Sequence, residues 1–181
     1  MLCTHTVMLN VAPHASSSYA SELSGLVREH LDELLTYAIH LTGDADEAME
    51  FVAAGVYHAR RYPPARLQSD GRVALYRAVT RAARNGQHFP PRPHGPARLF
   101  RRPRPSFVAD EAARQAARVN TVKRALMTVP FERRAAILLR DLAALSYREI
   151  GTALECSPEA TARLLAGARR EFGTVYREIA L

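Results

Sequence analysis

The sequence predicts an all-α fold made of two small helical modules joined by a linker rich in proline and arginine, the second module containing a helix-turn-helix. Three observations carry that expectation. Apolar residues recur at three- and four-residue steps through the long segments, no stretch alternates with the two-residue period of a strand, and six of the eleven prolines crowd into residues 87–107.

Residues 1–18, MLCTHTVMLNVAPHASSS, lack the charged head of a secretory signal and read as a mobile tail, with Met8 as a second candidate start. In SELSGLVREHLDELLTYAIHLTG, residues Leu23, Leu26, Val27, Leu31, Leu34, Leu35, Ala38, Ile39 and Leu41 form one helical stripe. Gly43 follows as a C-cap, and Asp44 or Asp46 caps the next helix, 45–61. YPPARLQSDGR then interrupts with two prolines and an Asp-Gly turn, after which a third helix covers 73–84. These elements make a first module over 19–86. The segment 87–107 is too rich in proline for regular helix and reads as an extended linker. The second module, 108–181, opens on a helix over 110–128 that stops before Pro130. A helix over 131–141 follows, with Ala135, Ile137, Leu138 and Leu142 on its inner face.

LSYREIGTALECSPEATARLLAGARREF, residues 145–172, reads as two short helices and a tight turn. Ser146 and Glu149 form a capping box, in which each satisfies a free backbone amide of the other. The first helix buries Ile150, Ala153 and Leu154. Glu-Cys-Ser is a three-residue turn, and Ser157 caps a second helix with Pro158 at its first position, where a missing N–H costs nothing. That second helix is expected to bury Ala160, Leu164 and Ala168. The arrangement is that of a DNA-binding helix-turn-helix, although an ordinary helical corner uses the same signals.

Charge points the same way without deciding it. Residues 1–86 carry a net charge of −1, residues 87–107 carry +5 and residues 108–181 carry +3, within a total of +7. A basic excess suits a polyanionic partner, because phosphate contacts supply most nonspecific nucleic-acid affinity. An arginine-rich genome gives the same picture, with 24 Arg beside the single Lys123. The two cysteines, Cys3 and Cys156, form no framework and read as reduced thiols of a cytoplasmic protein. No apolar run is long enough for a membrane span.

At this point the chain resembles a known family. Ala125, Leu126, Pro130, Arg134, Leu138, Leu139, Arg140, Asp141, Leu145, Ser146, Tyr147, Glu149 and Ile150 stand where region 4 of extracytoplasmic-function (ECF) sigma factors has matching residues. LLTYAIHLTGDADEAMEFVAAGVYHARRYP and VALYRAVTRAARN are similar to region 2 of the same family. The resemblance implies a promoter-specificity subunit with two partners, core RNA polymerase and promoter DNA. An anti-sigma factor is a further partner it allows. It places polymerase contacts on the second helix, at Asp46, Glu47, Glu50, Phe51, Arg60 and Arg61. It places Arg77, Arg81, Arg84 and Asn85 near the −10 element, where cations track a single strand. It places Arg148, Ser157, Glu159, Arg163, Arg169 and Arg170 near the −35 element. Arg163 is the best single candidate for a base contact, since Arg is the usual bidentate reader of guanine; a solvated helix face accounts for it equally. Glu159 suits either a cytosine or the helix dipole. LQSDG, residues 67–71, falls where the family captures an unstacked base.

The departures fall on these working surfaces. Ala53 and Ala54 replace a Gln-Glu pair that faces the polymerase, and Ala74 replaces a tryptophan. In the recognition helix Ala162, Leu164 and Gly167 stand where the family has Lys, Arg and Arg. A second reading therefore stays open: a sigma-like fold that serves as a protein-interaction module without initiating transcription. Catalysis is not expected, because the seven His are scattered and no nucleophile–base pair, metal-ligand spacing or Gly-rich phosphate loop appears. Neither a cofactor nor a small-molecule substrate is expected.

Overall fold

The computed structural model describes residues 14–86 and 107–181, with side chains over 19–86 and 115–181. Among the described residues there are seven helices and no strand: α1 His14–Thr42, α2 Ala45–Ala59, α3 Pro64–Gly86, α4 Phe107–Thr128, α5 Phe131–Asp141, α6 Tyr147–Leu154 and α7 Pro158–Ala180. The fold class expected from the sequence is therefore the one observed. Of the tail expected over 1–18 and the linker expected over 87–107, residues 1–13 and 87–106 lie outside the described residues, while 14–18 and 107 belong to α1 and α4.

The helix ends follow local chemistry. Gly43 takes φ +84°, the left-handed turn that stops α1, and the Asp44 carboxylate accepts from the Asp46 and Glu47 amides to start α2. Several boundaries differ from expectation: α2 stops at Ala59 rather than at residue 61 and α4 starts at Phe107 rather than at residue 110, and the larger differences are in α1 and α3. α1 begins at His14 rather than at residue 19, and the Tyr19 hydroxyl anchors its early turns by donating to the Ala59 and Tyr62 carbonyls at 2.9 and 2.8 Å. The stretch expected as a break, around Pro64 to Arg72, is helical. Pro64 occupies a first-turn position where proline is tolerated, and only Asp70, at φ −141° and ψ 40°, leaves the helical region. Leu67 and Gly71 are buried, and a Cβ on Gly71 would lie 2.6 Å from Leu26 Cδ2, so close packing on α1 draws the Asp-Gly pair into a kink instead of a turn. LQSDG is thus a helical segment rather than the expected loop.

The first three helices pack around Tyr37, whose ring meets Tyr76 edge-on at 5.2 Å. The Tyr37 hydroxyl is fully buried and bonds Thr80 Oγ1 at 2.7 Å, which leaves no orphaned polar atom there. Burial pushes both phenols up, Tyr76 to about 12 against the opposing pull of Arg72. Gly55 lets α2 settle on α3: a Cβ there would stand 2.9 Å from the Val79 backbone.

The apolar core continues without interruption from α1–α3 into α5–α7, through residues such as Leu34, Leu139, Leu145 and Ile150. Arg134 crosses between the halves, donating from Nη1 to the Leu41 carbonyl at 2.8 Å. Its burial lowers its basicity, and its Nε has no hydrogen-bond partner among the described residues. The inner face of α5 differs from expectation. Every residue from Arg134 to Leu139 is buried, while Leu142 is 44% exposed, because α5 is surrounded by α1, α6 and α7 rather than lying on one of them.

Candidate nucleic-acid interface

Each end of the helix-turn-helix is held by side-chain chemistry. Ser146 accepts from the Glu149 amide at 3.3 Å and the Glu149 carboxylate accepts from the Ser146 amide at 2.7 Å, so the capping box is complete. Ser146, through its side chain first and its backbone amide second, keeps the Glu149 carboxyl below its ordinary range. α6 ends at Glu155 in the left-handed conformation, φ 61°, uncommon for a residue with a Cβ. Ala144, ahead of α6, is also left-handed at φ 54°. Gly151 allows the turn to close on α6, since a Cβ there would stand 2.7 Å from the Cys156 carbonyl oxygen. Ser157 caps α7 by accepting from the Ala160 amide, and Pro158 follows it.

Ala168 of α7 is buried as expected, but the first turns of the helix bury the residues one position beyond the other two expected. Its buried residues are Thr161, Leu165 and Ala168, while Ala160 and Leu164 are only half-buried. Thr161 enters the interior because its hydroxyl is satisfied locally, by the Ser157 carbonyl at 3.0 Å and the Cys156 thiol at 3.2 Å. The rotation turns Ala162, Arg163, Ala166, Arg169 and Arg170 outward. Arg163 and Arg170, with Arg148 on α6, are exposed and carry no ion pair among the described residues. Arg169 donates to Asp141 at 2.7 Å, and Ser157 is occupied as a cap. Glu159 is fully exposed at the helix start, where its own amide and then Ser157 hold its carboxyl below the ordinary range.

The second set of arginines, on α3, is differently placed. Arg77 donates from Nε and Nη2 to one oxygen of Glu155, at 3.0 and 2.6 Å. Arg84 makes a two-pronged bond to Glu132, from Nε at 2.7 Å and from Nη2 at 2.9 Å. Arg81 and Asn85 are exposed, and Arg81 adds to the field that holds the Glu155 carboxyl down, after the larger effect of the Arg77 bond. Arg72, one turn earlier, reaches the Glu33 carboxylate and the Ala143 carbonyl, both at 2.9 Å. Sequence reasoning did not single out Glu155, Glu132, Glu33 or Arg72. The ion pairs join residues 78 and 48 positions apart, and no local pattern announces them.

On α2, Asp46 and Glu50 are exposed, and Glu47 and Phe51 are half-buried; Arg60 and Arg61, expected on the same helix, are exposed in the turn that follows its end at Ala59. Phe51 packs on the core beside Gly86, so it faces the end of α3 rather than solvent. Arg61 lies over the Tyr57 ring at 5.8 Å. The side of α2 toward α1 forms an apolar groove lined by Leu31, Leu35, Met49, Val52, Val56 and Tyr57. Ala53 lies within this groove, and Ala54 is half-buried.

Among the described residues no helix is long and apolar enough to cross a membrane, and no cluster of His, Cys, Asp and Glu could hold a metal ion. No curated protein matches the chain. Residues 120–172, which run from the second half of α4 through α5 and α6 to Phe172 of α7, match the family described as Sigma-70, region 4, a helix-turn-helix domain.

Proposed function

We propose that the chain is a sigma factor of the extracytoplasmic-function type, which binds core RNA polymerase and directs it to promoters through −10 and −35 elements. The observation that carries this reading is the sigma-70 region 4 match, laid over a helix-turn-helix whose capped second helix presents Arg163 and Arg170 to solvent. In this reading α7 lies in the major groove at the −35 element. Arg163 meets a base edge, while Arg148, Arg169 and Arg170 bind phosphates. Helices α1–α3 act as region 2: the outer face of α2 with Asp46, Glu47 and Glu50, together with Arg60 and Arg61 just beyond its end, meets the polymerase, and Arg77, Arg81, Arg84 and Asn85 of α3 follow the separated strand. Phe51 supports this surface from beneath, in keeping with its packing on the core.

A second reading, a sigma-like module that binds a protein without initiating transcription, is favoured by a specific observation. Arg77 and Arg84 are engaged inside the chain, and the α7 face holds Ala162 and Ala166 among its arginines.

Mixing the purified chain with core RNA polymerase separates the two. The sigma factor reading expects co-elution and defined transcripts from genomic fragments. Co-elution without transcripts supports the second reading, and no co-elution removes the first.

A further inference from the structure

The two candidate nucleic-acid faces are unequal in what already occupies them, and the inequality is built by acidic residues of the second half. Glu155 sits at the turn of the helix-turn-helix and Glu132 in the first turn of α5. Each ends on an α3 arginine that the proposed function assigns to the −10 strand. Carboxylate and phosphate are the same kind of partner for a guanidinium: one planar and one tetrahedral, each offers a pair of anionic oxygens that accept a fork of two N–H groups. Glu155 and Glu132 therefore stand where phosphates of a nucleic-acid strand would stand.

We infer that Glu155 and Glu132 are internal competitors for the nucleic-acid backbone: they hold Arg77 and Arg84 in the free chain, and a strand binds α3 only by displacing them. The inference rests on the proposed role of the α3 arginines and adds the group that regulates them. Several features fit a contact made to be displaced. The side chains are 24% and 39% exposed for Arg77 and Glu155, and 31% and 45% for Arg84 and Glu132, so water reaches both pairs. Pairs of that exposure hold weakly and are screened by salt, whereas a strand offers many phosphates at once. Arg81, exposed beside Glu155, is open to the first phosphate to arrive. The acid that must yield is also carried by the turn that leads into the recognition helix, so strand binding at α3 acts directly on the element that presents α7.

The test uses the full chain alone, with a single-stranded oligothymidine labelled for fluorescence anisotropy. The variant Glu132→Gln/Glu155→Gln keeps shape and hydrogen-bonding capacity while removing both competitors. Freeing two phosphate contacts is expected to raise affinity about tenfold at low salt and to steepen the salt dependence. A matched variant, Glu29→Gln/Glu178→Gln, makes the same change in net charge away from α3 and is expected to gain little. Adding Arg77→Ala and Arg84→Ala to the first variant should return affinity to the starting level. Thermal melting of each variant reports whether it is folded; if the double variant is not, the single Glu155→Gln change is expected to give the same gain at smaller size. Equal gains in both charge variants, or a gain that survives loss of the arginines, overturns the inference. So does the absence of any gain in a folded variant. None of these readouts involves polymerase, so failure here is distinct from failure of the sigma factor reading, which co-elution decides.

Discussion

Helices α3 and α7 each present arginines, and the two sets are limited in different ways. On α3 the cations are well spaced along one face, but Arg77 and Arg84 are bonded to Glu155 and Glu132. On α7 the face is open, yet Ala162 and Ala166 are interspersed among Arg163, Arg169 and Arg170, and Arg169 already has Asp141. Counting basic residues would rank the two alike. The difference shows that the supply of a binding surface is set by what competes for each guanidinium as much as by how many there are. It also places the two faces under one constraint, because the same turn carries Glu155, which holds Arg77 of α3, and launches α7.

That shared constraint is broken most severely in the core. Ile150 is fully buried on α6, the helix that packs against α3, α5 and α7. Ile150→Ala is expected to cost about 2–5 kcal/mol, the range for a large aliphatic truncated in a packed interior. Because the apolar core runs through both halves, chemical denaturation followed by circular dichroism should show one transition shifted to lower denaturant. A transition split in two, with α1–α3 unaffected, would show that the faces are independent. The next largest effect separates the faces instead. Arg163→Ala should weaken binding of a duplex promoter by about 1–3 kcal/mol if the residue reads a base, with no change in single-strand affinity. Equal loss on specific and unrelated duplexes would reduce Arg163 to a phosphate contact.

What could be read from the sequence was the chemistry that acts over a few residues. Ser146 with Glu149, Ser157 with Pro158, and Gly43 with Asp44 each declare a helix end through neighbours in the chain, and the structure places all of them as expected. The register of α7 was not legible, because Thr161 is polar and its burial depends on two partners that exist only once the turn has closed. The segment around Asp70 failed for a related reason. Proline and Asp-Gly signal a turn locally, but the packing of Gly71 beneath Leu26 overrides them. The state of the α3 arginines is the furthest from sequence, since it is decided by residues 78 and 48 positions away. Ala144 adopts φ 54°, a backbone region that glycine enters without steric cost. An L-residue in that region is strained by about 1–2 kcal/mol, part of which glycine returns as lost chain entropy. Ala144→Gly should therefore raise stability by up to about 1 kcal/mol, measured as a shift of the denaturation midpoint. A loss of stability would mean that the Ala144 methyl makes contacts that outweigh the strain.

The smallest expected effect bears most directly on the difference between the two helices. The Glu155 carboxyl lies below its ordinary range chiefly because Arg77 donates to it, with Arg77, Arg81 and Arg84 adding their charge. A carboxyl whose folded value is depressed binds its proton more readily in the unfolded chain. Its contribution to stability is therefore complete above the ordinary carboxylate range and is lost as pH falls through the lowered folded value. The pair is partly exposed, so screening limits that contribution to about 0.2–1 kcal/mol. Glu33 and Glu149 are also held low, by Arg72 and by Ser146, and they destabilise the chain over the same acid window. The difference between the native chain and Glu155→Gln isolates the one contact. At neutral pH the variant should be slightly less stable, and the gap should close as the solution is acidified below the ordinary carboxylate range. A gap that persists in acid would assign the effect to the shape of the turn at Glu155 rather than to its charge. The hold on Arg77 would then be steric, and an arriving phosphate would have to move the turn itself and not merely replace its carboxylate.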